Sequence, residues 1–228
     1  MILYELCGAN RDIRFSPYTW RIKMALAHKG IAYEGVPCRF LEKDAFAASG
    51  SKTVPVIEDD GTWVADSWAI AEYLEQTYPD KPTLFGGAIG RGQARFINDW
   101  ADRSILIPLF FAIITDIPKV LGDDDRAYFL ESRAARLGRP VEDFGPERDQ
   151  HLQTLHKALS PLKSALTKQP FICGDAPAYA DYILFGGFQW ARLVSPIDVL
   201  AGMEPLVNWR ERMLGLYGGL GANAQSAV

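Results

Sequence analysis

Ser16 suggests chemistry because it directly precedes Pro17 at the start of a helix-like pattern. A serine in this position accepts hydrogen bonds from unpaired backbone amides, and proline is pre-set for the first helical position. A thiol held nearby would meet amide donors, the positive end of the helix and the Ser16 hydroxyl, which all favour thiolate over thiol. The pattern therefore predicts either a site that activates a thiol or a plain helix cap.

Pro55 opens a predicted strand in the segment Thr53-Val54-Pro55-Val56, although a proline cannot donate a hydrogen bond to a sheet. A cis Val54–Pro55 bond would turn the amide and carbonyl of Val54 outward. They could then pair with the backbone of a bound peptide, as an added strand does. A proline on an edge strand is the alternative, and the residues alone leave both open.

Asp66 and Ser67 begin the next predicted helix. Capping is the ordinary role of a carboxylate and a hydroxyl at such a position. The unpaired amides there also bind anions. Ser67 could therefore hold a ligand carboxylate while Asp66 meets a ligand ammonium, and a γ-glutamyl group carries both charges.

The elements that must position these residues follow a β-α-β-β-α order, which is the minimal thioredoxin-like layout. Asp60-Gly61 is a hairpin turn signal, and Lys29-Gly30 ends the first helix. The predicted elements are strand 2–6, helix 16–29, strand 31–36, an irregular stretch 37–53 with a short helix near 41–48, strands 54–58 and 62–65, and helix 66–78.

Beyond residue 90 the hydrophobic spacing is helical throughout. The predicted helices are 91–115, with Pro108 expected to kink or end it, 124–137, 148–168, 180–194 and 204–214. We therefore expect an α/β thioredoxin-like domain over residues 1–80, a linker over 81–90 and an all-helical domain over 91–228.

The strings SPYTWRIKMALAHKG and TVPVIEDDGTWVADSWAIAEYLEQTYPD together resemble the glutathione transferase family, over an ordered span of residues 2–80. The resemblance implies that Ser16 activates glutathione as the cosubstrate. It also implies that Val54, before a cis Pro55, pairs with the cysteinyl backbone, and that Asp66 and Ser67 hold the γ-glutamyl end.

Two departures from the family pattern affect single positions. The family often has Lys or Gln directly before Val-Pro to hold the glycyl carboxylate, whereas Thr53 stands here. Lys52 next to it becomes the candidate for that role, ahead of Lys43 and Arg11. Ala178 stands where a capping Ser or Thr is expected three residues before the capping acid Asp181. That change costs about 1 kcal/mol of capping and leaves the family resemblance intact.

Within the family, Ser-Pro-Tyr-x-Trp-Arg and Asp-Asp-Gly-x-Trp-Val-x-Asp-Ser-Trp look most similar to the β-aryl-etherase group. That likeness implies a glutathione thiolate that displaces an aryloxide from an aromatic electrophile. The predicted second-substrate pocket lies between the domains and is lined by Trp20, Phe110, Phe111 and Tyr128. By family analogy we expect a homodimer formed through the first helix of the helical domain.

Two other functions stay open: a non-catalytic protein that binds glutathione or aromatic ligands, and a glutathione-dependent thiol–disulfide oxidoreductase. Serine rather than cysteine at position 16 favours transfer over disulfide exchange. Cys7, nine residues earlier, is interpreted as a small packing residue.

The composition argues against nucleic-acid-binding, membrane-spanning and metal-binding proteins. The 228 residues carry a net charge of −4, which argues against a nucleic-acid surface. The sequence contains no run of about 18 apolar residues, so we expect no membrane span. The three cysteines and three histidines have no metal-ligand spacing, so no metal is expected, and unpaired cysteines favour a reduced, cytoplasmic compartment.

Overall fold

The computed structural model describes residues 1–227 and begins with a four-stranded mixed sheet in the order β2-β1-β3-β4. The strands are β1 Ile2–Leu6, β2 Glu34–Cys38, β3 Val56–Asp59 and β4 Thr62–Ala65. β1 is parallel to β2 and antiparallel to β3, which is antiparallel to β4. The predicted β-α-β crossover and the hairpin at Asp60-Gly61 are both confirmed.

Two helices complete this α/β part: α1 Pro17–Lys29 and α2 Ser67–Thr77. A 3-10 turn, Asp44–Ser49, lies in the irregular stretch between β2 and β3. α1 ends at Gly30, whose φ of 62° is the left-handed conformation predicted for that glycine.

β2 is the one strand whose predicted position is wrong by several residues. It runs from Glu34 to Cys38 rather than over 31–36, because its bounds follow the pairing of Ile2 with Glu34 and of Leu6 with Cys38 on β1. Pro37 is tolerated within it since β2 is an edge strand.

The rest of the described chain is helical, as predicted. The helices are α3 Ala88–Trp100, α4 Leu106–Ile113, α5 Asp123–Leu137, α6 Arg148–Ala158, α7 Ser160–Leu166, α8 Tyr179–Val194 and α9 Glu204–Gly219, with short 3-10 turns at Ile117–Val120 and Val141–Glu147. The predicted helix 148–168 is two helices, since Pro161 starts α7 anew.

The expected interruption near Pro108 is a π-helical turn, Ala101–Ile105, between α3 and α4. Pro108 itself lies in the first turn of α4, which continues to Ile113, so the interruption precedes the proline instead of falling at it. The π turn carries Asp102 to the rim of the cavity described below.

α8 is the central helix of the molecule and is buried along almost its whole length. Asp181 in its first turn is 0% exposed and accepts hydrogen bonds from the amides of Ile172 and Ala178, at 2.7 and 3.2 Å, and from Trp209 Nε1 at 2.9 Å. The acid therefore supplies the predicted cap on the Ala178 amide and also joins α8 to α9. No helix among residues 1–227 is long and apolar enough to cross a membrane.

Candidate functional site

A cavity of about 950 Å³ opens where the sheet-bearing half faces the helical half. One wall consists of the start of α1 and the segment that leads to β3. The other consists of α4, α5 and Trp190 of α8.

Ser16 lies at this cavity as the N-cap of α1 and is 4% exposed. Its Oγ accepts a hydrogen bond from the Thr19 amide at 3.2 Å. Because the oxygen accepts in that bond, the hydroxyl proton is free to donate to a ligand. The cavity side of the helix start therefore offers a hydroxyl donor beside the positive end of α1.

Val54 lines the same cavity, and the bond between Val54 and Pro55 is cis. The Pro55 carbonyl accepts from the Asp66 amide at 3.3 Å, which joins the start of β3 directly to the start of α2. The start of β3 thus shares the cavity with the start of α1 and is hydrogen-bonded to the start of α2.

Asp66 caps α2, and its Oδ1 accepts from the amides of Trp68 and Ala69, each at 3.0 Å. Its φ of 78° is uncommon for a residue other than glycine. Ser67 is buried, and its carbonyl accepts from the Tyr179 hydroxyl at 2.8 Å, which fixes α2 against α8. Asp66 is exposed, but neither Asp66 nor Ser67 lines the cavity.

Lys52 and Thr53 are exposed residues of the segment before Val54, and both line the cavity. Sequence reasoning missed the other cations of the lining, Arg39, Arg133 and Arg136, and gave Lys43 little weight. Arg133 and Arg136 are three residues apart on α5, a spacing that could have revealed one shared helix face. In sequence alone, however, that face resembles an ordinary solvated one.

The helical wall of the cavity is aromatic. Phe110, Phe111 and Tyr128 line it, as expected of a second-substrate pocket. Phe110 stacks on Trp190 with ring centroids 6.1 Å apart, and Phe40 lies 6.2 Å from Tyr128. The wall thus offers several ring faces to an aromatic ligand.

Trp20 is placed elsewhere and does not line this cavity. It lies one helical turn beyond Ser16, is 1% exposed and packs edge-on against Phe185 of α8. Its indole Nε1 donates to the Arg14 carbonyl at 2.7 Å. Trp20 therefore packs α1 against α8, and its place in the predicted pocket is corrected.

Arg21 joins α1 to the helical half beside the cavity. Its buried guanidinium donates to Asn98 Oδ1 at 2.8 Å and to Asp102 Oδ1 at 2.6 Å. The same guanidinium lies 4.6 Å from the centre of the Tyr18 ring, which lines the cavity. The start of α1 is thereby fixed against the π turn.

The two cysteines nearest the site are poorly placed to react as thiolates. Cys7 and Cys38 are both buried, and burial raises the pKa of each thiol to about 11. Their protonated state at neutral pH supports the interpretation of Cys7 as a packing residue. Among residues 1–227, His, Cys, Asp and Glu side chains form no group of three or more that could hold a metal ion.

Comparison with known families adds to this geometry. A family model described as the glutathione S-transferase N-terminal domain matches residues 15–77. A second, described as the glutathione S-transferase C-terminal domain, matches residues 93–205. The two matches cover both the sheet-bearing half and the helical half.

Individual relatives agree with these models. The chain is 28% identical to glutathione S-transferase 2 of Saccharomyces cerevisiae, over 89% of this chain and 83% of the relative. It is 36% identical to maleylacetoacetate isomerase of Dictyostelium discoideum, over 74% and 72%. The crystal structure of a glutathione transferase from Phanerochaete chrysosporium superimposes with a TM-score of 0.76 at 30% identity, over 96% of this chain and 91% of that one.

Proposed function

Because the chain belongs to the glutathione S-transferase family and takes glutathione as its cosubstrate, we propose that it transfers the glutathione thiolate to an aromatic electrophile. The observation that carries the proposal is the Ser16 hydroxyl, whose proton is free at a cavity with an aromatic far wall. The thiolate sulfur forms a bond to carbon while the bond to the leaving group breaks.

The proposed roles of the chain's own residues follow from where each lies. Ser16 donates its hydroxyl proton in a hydrogen bond to the sulfur, and the positive end of α1 adds to this stabilisation. The backbone of Val54 pairs with the cysteinyl unit, and Lys52 takes the glycyl carboxylate. Asp66 and Ser67 hold the γ-glutamyl end, as their place at the start of α2 allows.

We further propose that the electrophile is an aryl ether, so that the leaving group is a phenolate. Phe110, Phe111 and Tyr128 offer the departing ring an apolar surface with ring faces for stacking. In this reaction the carbon–sulfur bond forms, the carbon–oxygen bond breaks with its electron pair on oxygen, and the phenolate takes a proton from water.

Turnover by Ser16 variants tests the transfer reaction. We expect Ser16→Ala to lower kcat with chloro-dinitrobenzene or a β-aryl ether dimer by about 10²-fold, since it removes one aimed donor. Ser16→Thr keeps both the hydroxyl and the cap and should retain most of the rate. Product formation with millimolar glutathione is the measurement for both.

The remaining outcomes separate the alternatives. An unchanged rate in Ser16→Ala would make Ser16 a helix cap alone. Glutathione binding without turnover of either electrophile would identify a binding protein. Turnover of hydroxyethyl disulfide in place of both electrophiles would identify an oxidoreductase, and either result contradicts the proposal.

We also propose a homodimer formed through α3. Ile89 and Phe96 on this helix are 81% and 70% exposed, which is unusual for such large apolar side chains. We expect Phe96→Glu to lower the mass measured by light scattering from that of a dimer to that of a monomer. Leu41→Glu, at an exposed apolar residue outside α3, is the control and should leave the mass unchanged.

A further inference from the structure

The cavity concentrates positive charge in a chain whose net charge is −4. Five of its lining residues are cations: Arg39, Lys43, Lys52, Arg133 and Arg136. Within residues 1–227 none of the five forms an ion pair. Asp102, the single acidic residue of the lining, is itself paired with Arg21 at 2.6 Å. The cavity therefore has positive charge for which the described residues supply no salt-bridge partner.

Arg133 is the most enclosed of the unpaired arginines on the helical wall. Its guanidinium carbon lies 4.8 Å from the centre of the Phe129 ring and 5.8 Å from that of Phe40. Nη1 donates to Ser132 Oγ at 3.0 Å, its single hydrogen bond within the described residues. A guanidinium has five N–H donors, so most of the donors of Arg133 remain available to a ligand.

The surroundings of Arg133 make an anionic ligand favourable there. Burial lowers the pKa of its guanidinium, and Arg136 one turn further along α5 repels it. A carboxylate placed between the two arginines would offset both the burial of the Arg133 charge and its repulsion by Arg136. It could also accept two parallel hydrogen bonds from one planar guanidinium.

Glutathione does not account for these two arginines under the proposed function. Its γ-glutamyl end is assigned to Asp66 and Ser67, and its glycyl carboxylate to Lys52. Arg133 instead contacts Phe40, a neighbour of Tyr128 in the aromatic wall. The spare positive charge thus lies on the side of the cavity assigned to the second substrate.

We infer that the second substrate is an acidic aromatic electrophile, whose carboxylate binds Arg133 while its ring lies against Phe40 and Tyr128. This inference rests on the proposed function for the position of glutathione. The Asp125 carboxylate supports the arrangement by accepting from the amides of Phe40 and Leu41, at 3.2 and 3.3 Å. It thereby holds the loop that carries Phe40 against α5.

The test compares 4-chloro-3,5-dinitrobenzoate with its methyl ester, each reacted with glutathione. The thiolate displaces chloride from the same ring carbon in both, so the two differ in the charge at the far end. After division by the uncatalysed rates, we expect the wild-type protein to prefer the acid by about tenfold in kcat/KM, the size of one charge-assisted hydrogen bond.

Variants at Arg133 assign this preference to the arginine. Arg133→Gln should reduce the acid-to-ester ratio to about one, and Arg133→Lys should restore part of it. Arg136→Gln, at an exposed site, should lower the ratio less and serves if Arg133→Gln fails to fold. Lys157→Gln removes one exposed cation of α6 outside the lining and should leave the ratio unchanged.

Binding of the unreactive 3,5-dinitrobenzoate and its methyl ester, measured by calorimetry, separates this inference from the proposed function. Tighter binding of the acid that is lost in Arg133→Gln supports the inference even if no electrophile is turned over. Equal binding of acid and ester by the wild-type protein overturns it, whatever the rate of transfer. An acid preference that persists in Arg133→Gln also overturns the assignment to Arg133.

Discussion

At the scale of single residues, Asp66 combines an observed capping role with a proposed role in binding glutathione, and mutation can separate the two. Its Oδ1 caps α2 through the amides of Trp68 and Ala69, and its charge remains exposed beside the proposed γ-glutamyl site. Asparagine keeps a capping oxygen and tolerates a positive φ better than most residues. Alanine removes both the cap and the charge.

We therefore expect Asp66→Asn to raise the KM for glutathione about tenfold, because a charge-assisted contact to the ligand ammonium is lost. The same change should alter the free energy of unfolding by less than about 0.5 kcal/mol, since the cap survives. Steady-state kinetics with varied glutathione and urea unfolding measure the two effects.

The variant Asp66→Ala is the counterpart to this measurement. It should raise the KM for glutathione similarly and also lower the free energy of unfolding by about 1 kcal/mol. An unchanged KM in both variants would leave Asp66 as a cap and exclude its contact with the ligand ammonium.

Local chemistry explains which single residues could be found from sequence. Ser16 and Asp66 act on the amides of the helices that directly follow them, so the signal lies within a few positions. Arg133 is different, because its proposed role in binding the second substrate depends on Phe40, which lies more than 90 residues earlier. Nothing within α5 indicates that this helix face is covered by a distant loop.

At the scale of elements, the contact between α1 and α8 depends on the absence of a side chain at Gly186. A Cβ built there would lie 2.2 Å from the Pro17 carbonyl oxygen, which is backbone and cannot rotate away. Pro17 directly follows Ser16, so the spacing of these two helices also sets the position of the candidate catalytic hydroxyl.

We expect Gly186→Ala to lower the free energy of unfolding by about 1–3 kcal/mol, the usual cost of overpacking a core. It should also reduce kcat by displacing the start of α1. Chemical denaturation and transfer assays measure these effects. Gly215→Ala is the matched control, because a Cβ there meets nothing within 4 Å, and a loss of stability in both variants alike would refute the packing argument.

Element bounds could be predicted where the determining residues are local. The start of α1 follows from Ser16-Pro17, and the β3–β4 turn follows from Asp60-Gly61. The bounds of β2 instead follow from its partner strand β1, which local pattern does not reveal. Near Pro108 the sequence likewise predicts an interruption of the helix but not the π turn that precedes the proline. The form of that turn depends on how the two flanking helices pack.

At the scale of the whole molecule, His28 joins four distant segments. Its Nε2 faces the Thr83 carbonyl at 3.0 Å, so that nitrogen carries the proton. Its Nδ1 lies 2.6 Å from the Tyr182 hydroxyl on α8 and 3.3 Å from the Tyr217 hydroxyl. Tyr217 is at the kink in α9, where its φ is 52°. The neutral imidazole thereby ties the chain after residue 215 to the rest of the fold.

Burial is the main cause that lowers the pKa of His28 from 6.5, and the neighbouring Lys29 lowers it further. The hydrogen bond with the Thr83 carbonyl and the charge of Glu75 raise the pKa but do not outweigh these effects. The unfolded chain therefore binds the His28 proton more readily than the folded one below pH 6.5. Its contribution to stability is present in full above that pH and is lost as the pH falls towards the folded pKa.

We accordingly expect the wild-type protein to lose stability relative to His28→Asn as the pH falls from 7.5 to 5. Urea unfolding of both proteins at each pH is the measurement, and taking the difference cancels the titration of groups common to both. The difference in free energy of unfolding between the two proteins should be largest above pH 6.5, where the neutral ring accepts a hydrogen bond from Tyr182. This difference should become smaller below that pH. A difference of constant size across this range would show that His28 has the same proton affinity folded and unfolded, and that the contact between α1, α8 and the end of α9 does not depend on its neutral form.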